Sequence, residues 1–380
     1  MRVLVGGVHL GGDGYPNARN TIRLMQQRLG IQVIECGRWL PANSNLWAVA
    51  QAAPLRKLAT LASLVVGNLQ SLVRILIATR RGDWVYVPHP GLFFLWLASW
   101  LPRRARPLCV LDGYISVWDS LHADRDRRPT RMQQILRRFE ARAWRAAQHV
   151  IVDTTRNREH FVRTFALDPA RVHAWPLAID EPPSPAYRRS GNDSIRVLYL
   201  GTLVPLHGVE HLAALAQSID DMPGVELDIV GTGQQAQILE QALAGCGPRV
   251  RWTRDWQGPR QVERWIAGAD ICLGVFGGAG KASRVLPFKL YHYFVQGRAV
   301  ISQRELSLPE GVPAPPIHAI DPACRGALAG AVRLLAEDRL RRETLAAHAA
   351  EYYGKHLSHD LIVAHWSRLM GISEEPAFDA

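Results

Sequence analysis

Lysine is rare in this chain: its 380 residues hold four, at positions 57, 281, 289 and 355. Two of them bracket Arg284 in the segment Lys281-Ala-Ser-Arg-Val-Leu-Pro-Phe-Lys289. An apolar run (270–276) and a glycine-rich turn, Gly277-Gly278-Ala279-Gly280, come before it. A helix-like run to Gly297 and then Ala299-Val300-Ile301 come after it. A strand, a flexible turn with three fixed positive charges and a helix N-terminus together form an anion cradle. The chemistry implied is recognition of a phosphate or diphosphate. The competing reading of three cations beside a loop is a solvated face.

Two further stretches repeat the pattern. Residues 196–200 read as a buried strand entering the turn Gly201-Thr202-Leu203-Val204-Pro205-Leu206-His207-Gly208. Residues 225–230 lead into Gly231-Thr232-Gly233 and a helix-like stretch, 234–244. Three strand–turn–helix units within about one hundred residues predict a doubly wound α/β domain. The turns at 201–208, 231–233 and 277–289 are then expected to converge at the carboxyl ends of the strands, where such sheets bind ligands.

The elements that must hold this site fall into two domains. The expected boundaries are 1–178 for a first Rossmann-like domain, 179–193 for a proline-rich polar hinge, 194–358 for a second Rossmann-like domain, and 359–380 for a terminal helix. Strand candidates in the first domain are 2–6, 31–35, 84–88, 108–111, 149–153 and 171–175, with the clearest helix at 131–147. Met1–Gly7 reads as a first strand running into a glycine turn, not as a leader. The five cysteines are scattered and lack a CxxC pair, which argues against a disulfide framework and for a reducing cytosol. Cys109 and Cys272 lie in apolar runs and read as buried small hydrophobes.

Net charge is +11, unevenly spread. Residues 1–180 carry 25 Lys+Arg against 12 Asp+Glu, and the remainder 20 against 22. A basic first half points to an anionic partner. No aromatic–basic interleaving or recognition helix supports nucleic acid. Apolar stretches near the charges favour a membrane surface. Leu61, Leu64, Val65, Leu72, Val73 and Leu76 recur at helical spacing within 58–79, with Asn68, Ser71 and Arg74 on the other face. Residues 91–102, with Trp96 and Trp100, run into Arg103, Arg104 and Arg106. Both stretches fit amphipathic elements with basic borders, or ordinary helices packed on a sheet.

The chain resembles glycosyltransferase family 4, of the two-domain GT-B fold. The resemblance is carried by Gly201, Leu203, Pro205, His207 and Gly208 in the first turn. It is carried also by the Lys-Ala-x-Arg-Val-x-Pro-x-Lys segment ending in Gly297-Arg-Ala-Val-Ile. A third stretch, Asp112-Gly-Tyr-Ile-Ser-Val-Trp-Asp119 through Asp124-Arg125, resembles a segment of a bacterial surface-polysaccharide branch. The resemblance implies two doubly wound domains facing a central cleft, a nucleotide-sugar donor on the second and an acceptor on the first. It also implies retention of anomeric configuration. Many members place an acidic pair eight residues apart at the second site; aligned on Gly297, those positions are Arg284 and His292 here. The usual arginine and lysine of the first turn are Thr202 and His207.

Candidate roles follow. Lys281, Arg284 and Lys289, with backbone N–H groups of the glycine turns, are expected to stabilise charge on a leaving diphosphate. Gly201, Thr202, His207, Gly208, Gly231 and Gly233 form the donor turns, with Val285 and Leu286 in the cationic segment. His292 is a candidate for the donor ribose; its alternative is packing against Tyr291 and Tyr293. The base is expected near 253–257 or Gly231–Gly233, where Trp256 stacks on it or packs the core. On the acceptor side stand Gly11, Gly12, Gly14, Tyr15, Asn17 and Tyr114, with Asp112 and Asp119 as candidate catalytic carboxylates. The alternative for Asp119 is helix N-capping.

Asp124-Arg125-Asp126 resembles a metal motif of another glycosyltransferase fold but falls in a charged loop, so the expected donor site is metal-independent and needs no cofactor. The expected protein is a transferase of surface-polysaccharide or glycolipid synthesis, peripheral at the cytoplasmic face of the plasma membrane, acting on a lipid-linked or saccharide acceptor. The alternatives are a nucleotide-sugar epimerase on the same fold or an inactive anion-binding scaffold.

Overall fold

The computed structural model describes residues 1–10, 15–40, 54–122, 130–181 and 194–372. The chain divides into two compact units, Met1–Ala178 with His359–Ala380, and Ile179–Ser358.

The first unit runs β1 (Arg2–Val5), β2 (Val8–Leu10), α1 (Asn17–Arg28), β3 (Gln32–Glu35), β4 (Arg38–Leu40), α2 (Pro54–Ala78), β5 (Trp84–Val87) and α3 (Leu92–Ala98). It continues with β6 (Leu108–Asp112), α4 (Val117–His122), α5 (Arg131–Ala146), β7 (His149–Val152), α6 (Thr155–Phe165) and β8 (Val172–Ala174). Six of these strands form a parallel sheet in the order β3-β1-β5-β6-β7-β8. Strands such as Val3-Leu4-Val5 and Cys109-Val110-Leu111 are apolar on both faces because helices cover both. Leu4, Val85, Cys109, Leu111 and Val152 face a layer containing Leu72 and Ile75 of α2, Phe94 and Leu95 of α3, Trp144 of α5 and Phe161 of α6. Val3, Val5, Tyr86, Val110 and Ile151 face Ile22 and Met25 of α1 and Ile362 and Trp366 of the terminal helix. Sequence signals mark several starts: Thr130 caps α5 in a capping box with Gln133, and Thr154 caps α6.

The second unit runs β9 (Ile195–Leu200), α7 (Val209–Ser218), β10 (Val225–Val230), α8 (Ala236–Leu243), β11 (Val250–Thr253), α9 (Pro259–Ala267), β12 (Ile271–Leu273) and α10 (Phe288–Val295). Then come β13 (Ala299–Gln303), β14 (His318–Ile320), α11 (Ala327–Glu337) and α12 (Arg339–His356). α13 (His359–Met370) returns to the first unit, where Trp366 packs edge-on to Tyr86 and Asp360 pairs with Arg28 at 2.7 Å. The second sheet is parallel, in the order β11-β10-β9-β12-β13-β14. The strand order reverses between β9 and β12. That is the switch point at which doubly wound sheets bind ligands, and it lies where the turns after β9, β10 and β12 meet.

Two features differ from the sequence expectation. Short β2 and β4 form a separate parallel pair; three residues are too few to show a period. In α2 the inward face is mixed, with Leu72 buried beside two polar residues and Arg74 outside. Asn68 and Ser71 face inward, where Asn68 Oδ1 accepts from the Val8 amide and Ser71 Oγ from the Gly7 amide. Leu61, Val65, Val73 and Leu76 face outward. The β1–β2 turn has amide groups to satisfy, and two short polar side chains meet that need better than aliphatics would.

Candidate active site

The three turns of the second unit interlock. Leu203 donates its amide to the Thr232 carbonyl at 3.1 Å, and Phe276 donates to the His207 carbonyl at 3.2 Å. The glycines are needed for this closeness. Gly231 has φ +125°, and a side-chain carbon there would run into the Gly201 carbonyl. At Gly208, φ +66°, it would stand 2.6 Å from the Phe276 carbonyl group. Gly233 presses likewise on the backbone of Leu203.

Lys289 joins the cationic segment to the first turn. It lies in the first turn of α10, is 8% exposed, and extends over the Tyr199 ring with Nζ 4.0 Å from the ring centre. Nζ donates to the Gly274 carbonyl at 3.2 Å. Burial draws the amine down to about 7. The expectation of three fixed charges on the turn is therefore corrected: this charge is conditional, and an anion nearby would restore it.

His207 is buried beside it. Its Nδ1 lies 2.8 Å from the Tyr199 hydroxyl and against the Thr202 carbonyl oxygen. A carbonyl only accepts, so Nδ1 carries the proton and Nε2 is the lone-pair nitrogen. Burial first, and the Lys289 charge second, hold the imidazole well below its ordinary range. His207 is thus a neutral group that locks the first turn, while the Thr202 side chain is exposed above it. Many turn amides are already engaged. Gly201, Leu203, His207, Gly208 and Gly231 donate to backbone carbonyls, and Gly278 donates to Gln303 Oε1. Those N–H groups are not offered to a ligand, which narrows the expected role of the turns.

Lys281 and Arg284 are half-buried, the one just before and the other at the end of a short 3₁₀ turn, Ala282–Arg284; Val285 is half-buried and Leu286 fully buried just beyond it. His292 is half-buried on α10 with its ring 5.7 Å from that of Phe288. Burial, partly opposed by Asp180, lowers it to about 4, so it is a neutral hydrogen-bonding group. Trp256 is 74% exposed, which removes the core-packing alternative. Three residues escaped sequence reasoning. Trp252 Nε1 donates to the Gly231 carbonyl at 2.8 Å. Gln303 brackets Gly278 with hydrogen bonds at 2.9 and 3.1 Å, and Ser302 Oγ accepts from the Val275 amide. Ser302 and Gln303 end an otherwise apolar strand, and polar residues at that place were the available signal.

In the first unit, Asp112 ends β6 and gathers two expected partners. Tyr15 donates to one carboxylate oxygen at 3.2 Å; Asn17 and Tyr86 donate to the other, each at 3.1 Å. Asn17 Oδ1 in turn accepts from the Ala178 amide. Asp112 is 1% exposed, and burial raises it to about 7 against the pull of those hydrogen bonds. A buried carboxyl with both oxygens occupied holds Tyr15 and Asn17 in place, which corrects its expected direct contact with substrate.

Asp119 sits in a different network. Its Oδ1 lies 2.8 Å from His160 Nε2, a partner the sequence did not reveal. Asp119 lies in the first turn of α4, and its carboxylate also reaches out of that helix to His160. Ser116 Oγ accepts from the Asp119 amide, and Glu140 accepts from Val117, Trp118 and Ser116. Tyr114 is half-buried between the two networks in sequence. Gly11, Gly12, Gly14 and the Asp124–Asp126 motif lie outside the described residues.

No protein-family model matches the chain, and no curated protein matches it. Solved structures do. Anabaena Alr3699/HepE in complex with UDP-glucose matches with a TM-score of 0.64 at 14% identity, covering 98% of this chain and 99% of that one. Sucrose-phosphate synthase from Thermosynechococcus elongatus matches with a TM-score of 0.63 at 15% identity, covering 97% and 98%. A glycosyltransferase from Rickettsia africae matches with a TM-score of 0.60 at 10% identity, covering 97% of each. Likeness at such identities is likeness of fold: the chain has the GT-B fold, built of two Rossmann-like domains.

Proposed function

We propose that the chain is a glycosyltransferase moving a sugar from a nucleoside-diphosphate donor to a lipid-linked or saccharide acceptor. The observation that carries the reading is the meeting of Lys289, neutral His207 and three interlocked glycine turns at the switch point of the second sheet. The GT-B fold supports it, as does a neighbour of that fold solved with UDP-glucose. The donor's diphosphate would lie over the turns, drawing charge from Lys289, Lys281 and Arg284. As the anomeric carbon–oxygen bond breaks, negative charge grows on the leaving phosphate. Loss of one such cation would cost about 10²–10³ in rate. Trp256, exposed beside the 231–233 turn's neighbouring strand, is the candidate to stack on the base, and His292 to bond a ribose hydroxyl. The acceptor would bind the first unit near Tyr15 and Asn17, which Asp112 positions.

Within this reading the product keeps the donor's anomeric configuration, the cations of residues 281–289 do the work that a metal does elsewhere, and the product belongs to a cell-surface polysaccharide or glycolipid. Arg284 and His292, standing where family 4 members carry acids, favour a second reading, an anion-binding scaffold without turnover. Release of nucleoside diphosphate from a panel of nucleotide sugars, with and without membrane lipid extract, decides between them. Acceptor-dependent release that is lost in Lys289→Ala supports the transferase. Nucleotide binding without release from any sugar would leave the scaffold.

A further inference from the structure

α2 turns most of its large apolar side chains outward, which is unusual for a helix of a globular domain. By length and composition its stretch Thr60–Ala78 is apolar enough to cross a bilayer. Its inner face carries Gly67, Asn68 and Ser71 along with Leu72 and Ile75. Gly67 lets the backbone come close to β2, since a side-chain carbon there would stand 2.8 Å from Val8. The outer face carries Leu61, Val65, Leu69, Val73 and Leu76 in one stripe, with Val66 and Ile77 beside it, and Ile77 is 81% exposed. A surface of this kind on a soluble protein marks an interaction site.

Within the segment that carries the stripe the charges are nearly all of one sign. Residues 54–106 contain eight Lys+Arg and a single acid, Asp83, which is buried and paired with Arg2. Arg74, Arg80 and Arg81 at the C-terminal end of α2 are exposed. So are Arg103 and Arg104 after α3, the helix that packs between α2 and α5 in the same layer. Trp100 stands exposed in that layer beneath the Arg142 guanidinium, 3.7 Å from its ring centre.

We propose that the outer stripe of α2 seats this unit on an anionic phospholipid bilayer, with the helix lying in the plane of the membrane. Aliphatic side chains enter the acyl boundary and the arginine rim meets the lipid phosphates. A second copy of the chain would bring the same positive rim against itself, which charge complementarity disfavours. Spanning is disfavoured too. Drawing α2 into the bilayer would strip the Gly7 and Val8 amides of Ser71 and Asn68. The lipid contact deepens the transferase reading and rests on it only for the acceptor: a unit lying on the membrane would meet a lipid-linked acceptor at its surface.

Flotation of the full-length protein with phosphatidylcholine vesicles, and with vesicles that also contain phosphatidylglycerol, tests the seat. Two variants are floated alongside: Leu69→Gln/Val73→Gln/Leu76→Gln for the stripe and Arg80→Ala/Arg81→Ala for the rim. The wild type should float with the anionic vesicles only, and each variant should lose about tenfold or more in partitioning. Circular dichroism and nucleotide binding should stay unchanged in both, so a failed seat is distinguishable from a failed donor site. A wild type that stays unbound, a stripe variant that floats equally well, or a wild-type dimer that the stripe variant turns into a monomer would each overturn the proposal.

Discussion

Lys289 ends against Gly201: its Nζ lies 3.1 Å from the point where a side-chain carbon on Gly201 would stand. The lysine of the cationic segment can occupy the first turn because that residue has no side chain. Gly201 also has φ +143°, which an L-residue tolerates poorly. Gly201→Ala should lower stability by about 1–3 kcal/mol and push Lys289 off the Tyr199 ring. Thermal denaturation reads the first effect. Nucleotide affinity, expected to fall about tenfold, reads the second.

Nucleotide binding should depend on pH through Lys289. Its amine titrates at about 7 in the free protein, and a diphosphate favours the charged form. Affinity should therefore be flat below pH 7 and fall as pH rises above it, by up to about tenfold per unit. Titrations between pH 6 and 9 check this (buffers of different ionisation heat also reveal proton uptake on binding). In Lys289→Met the dependence should vanish along with most of the affinity.

The same burial has a cost without ligand. The folded amine is depressed from its ordinary value, so stability from this group is fully present only at alkaline pH and is lost as pH falls toward 7. Lys289→Met should raise the melting temperature of the free protein at pH 6–7, a gain on the order of a few kcal/mol, and the gain should shrink toward pH 10. A mutation that stabilises the protein while abolishing binding is the signature of a group held for function.

Much of this was legible in the residues. Alternating apolar strands and glycine turns expose a doubly wound fold directly, because each strand must be apolar on both faces and each turn must open for a ligand. The approach of Lys289 to Gly201 was not legible. It depends on a side chain reaching across from α10 to the turn after β9, 88 residues away in the chain. The inward Asn68 and Ser71 were hidden for a similar reason: helical periodicity separates two faces but does not say which faces the core when the neighbour is a turn with bare amides. Asp119 and His160, and the Glu140 that caps α4, meet only after α4, α5 and α6 pack together.

Glu140 gives a separate test in the first unit. Burial raises it to about 7 despite its hydrogen bonds to Ser116, Val117 and Trp118. A raised acid lends stability that is present below its ordinary range and lost as pH rises through 7. Glu140→Gln should flatten the fall in stability between pH 5 and 8. Glu140→Leu should cost about 2–4 kcal/mol at pH 5, because it leaves two amides of α4 unsatisfied, and the cost should shrink toward pH 8 as the wild type loses the stability its raised carboxyl lends. Urea melts at three pH values compare them.

Calorimetric titration with UDP, GDP and dTDP, run on the wild type and on Lys289→Ala, reaches the central claim most directly. One nucleotide should bind, name the base, and be lost in the variant while the fold is retained. Binding that is equal in both proteins, or no binding of any nucleotide by the wild type, would contradict a donor site built on Lys289 and the glycine turns.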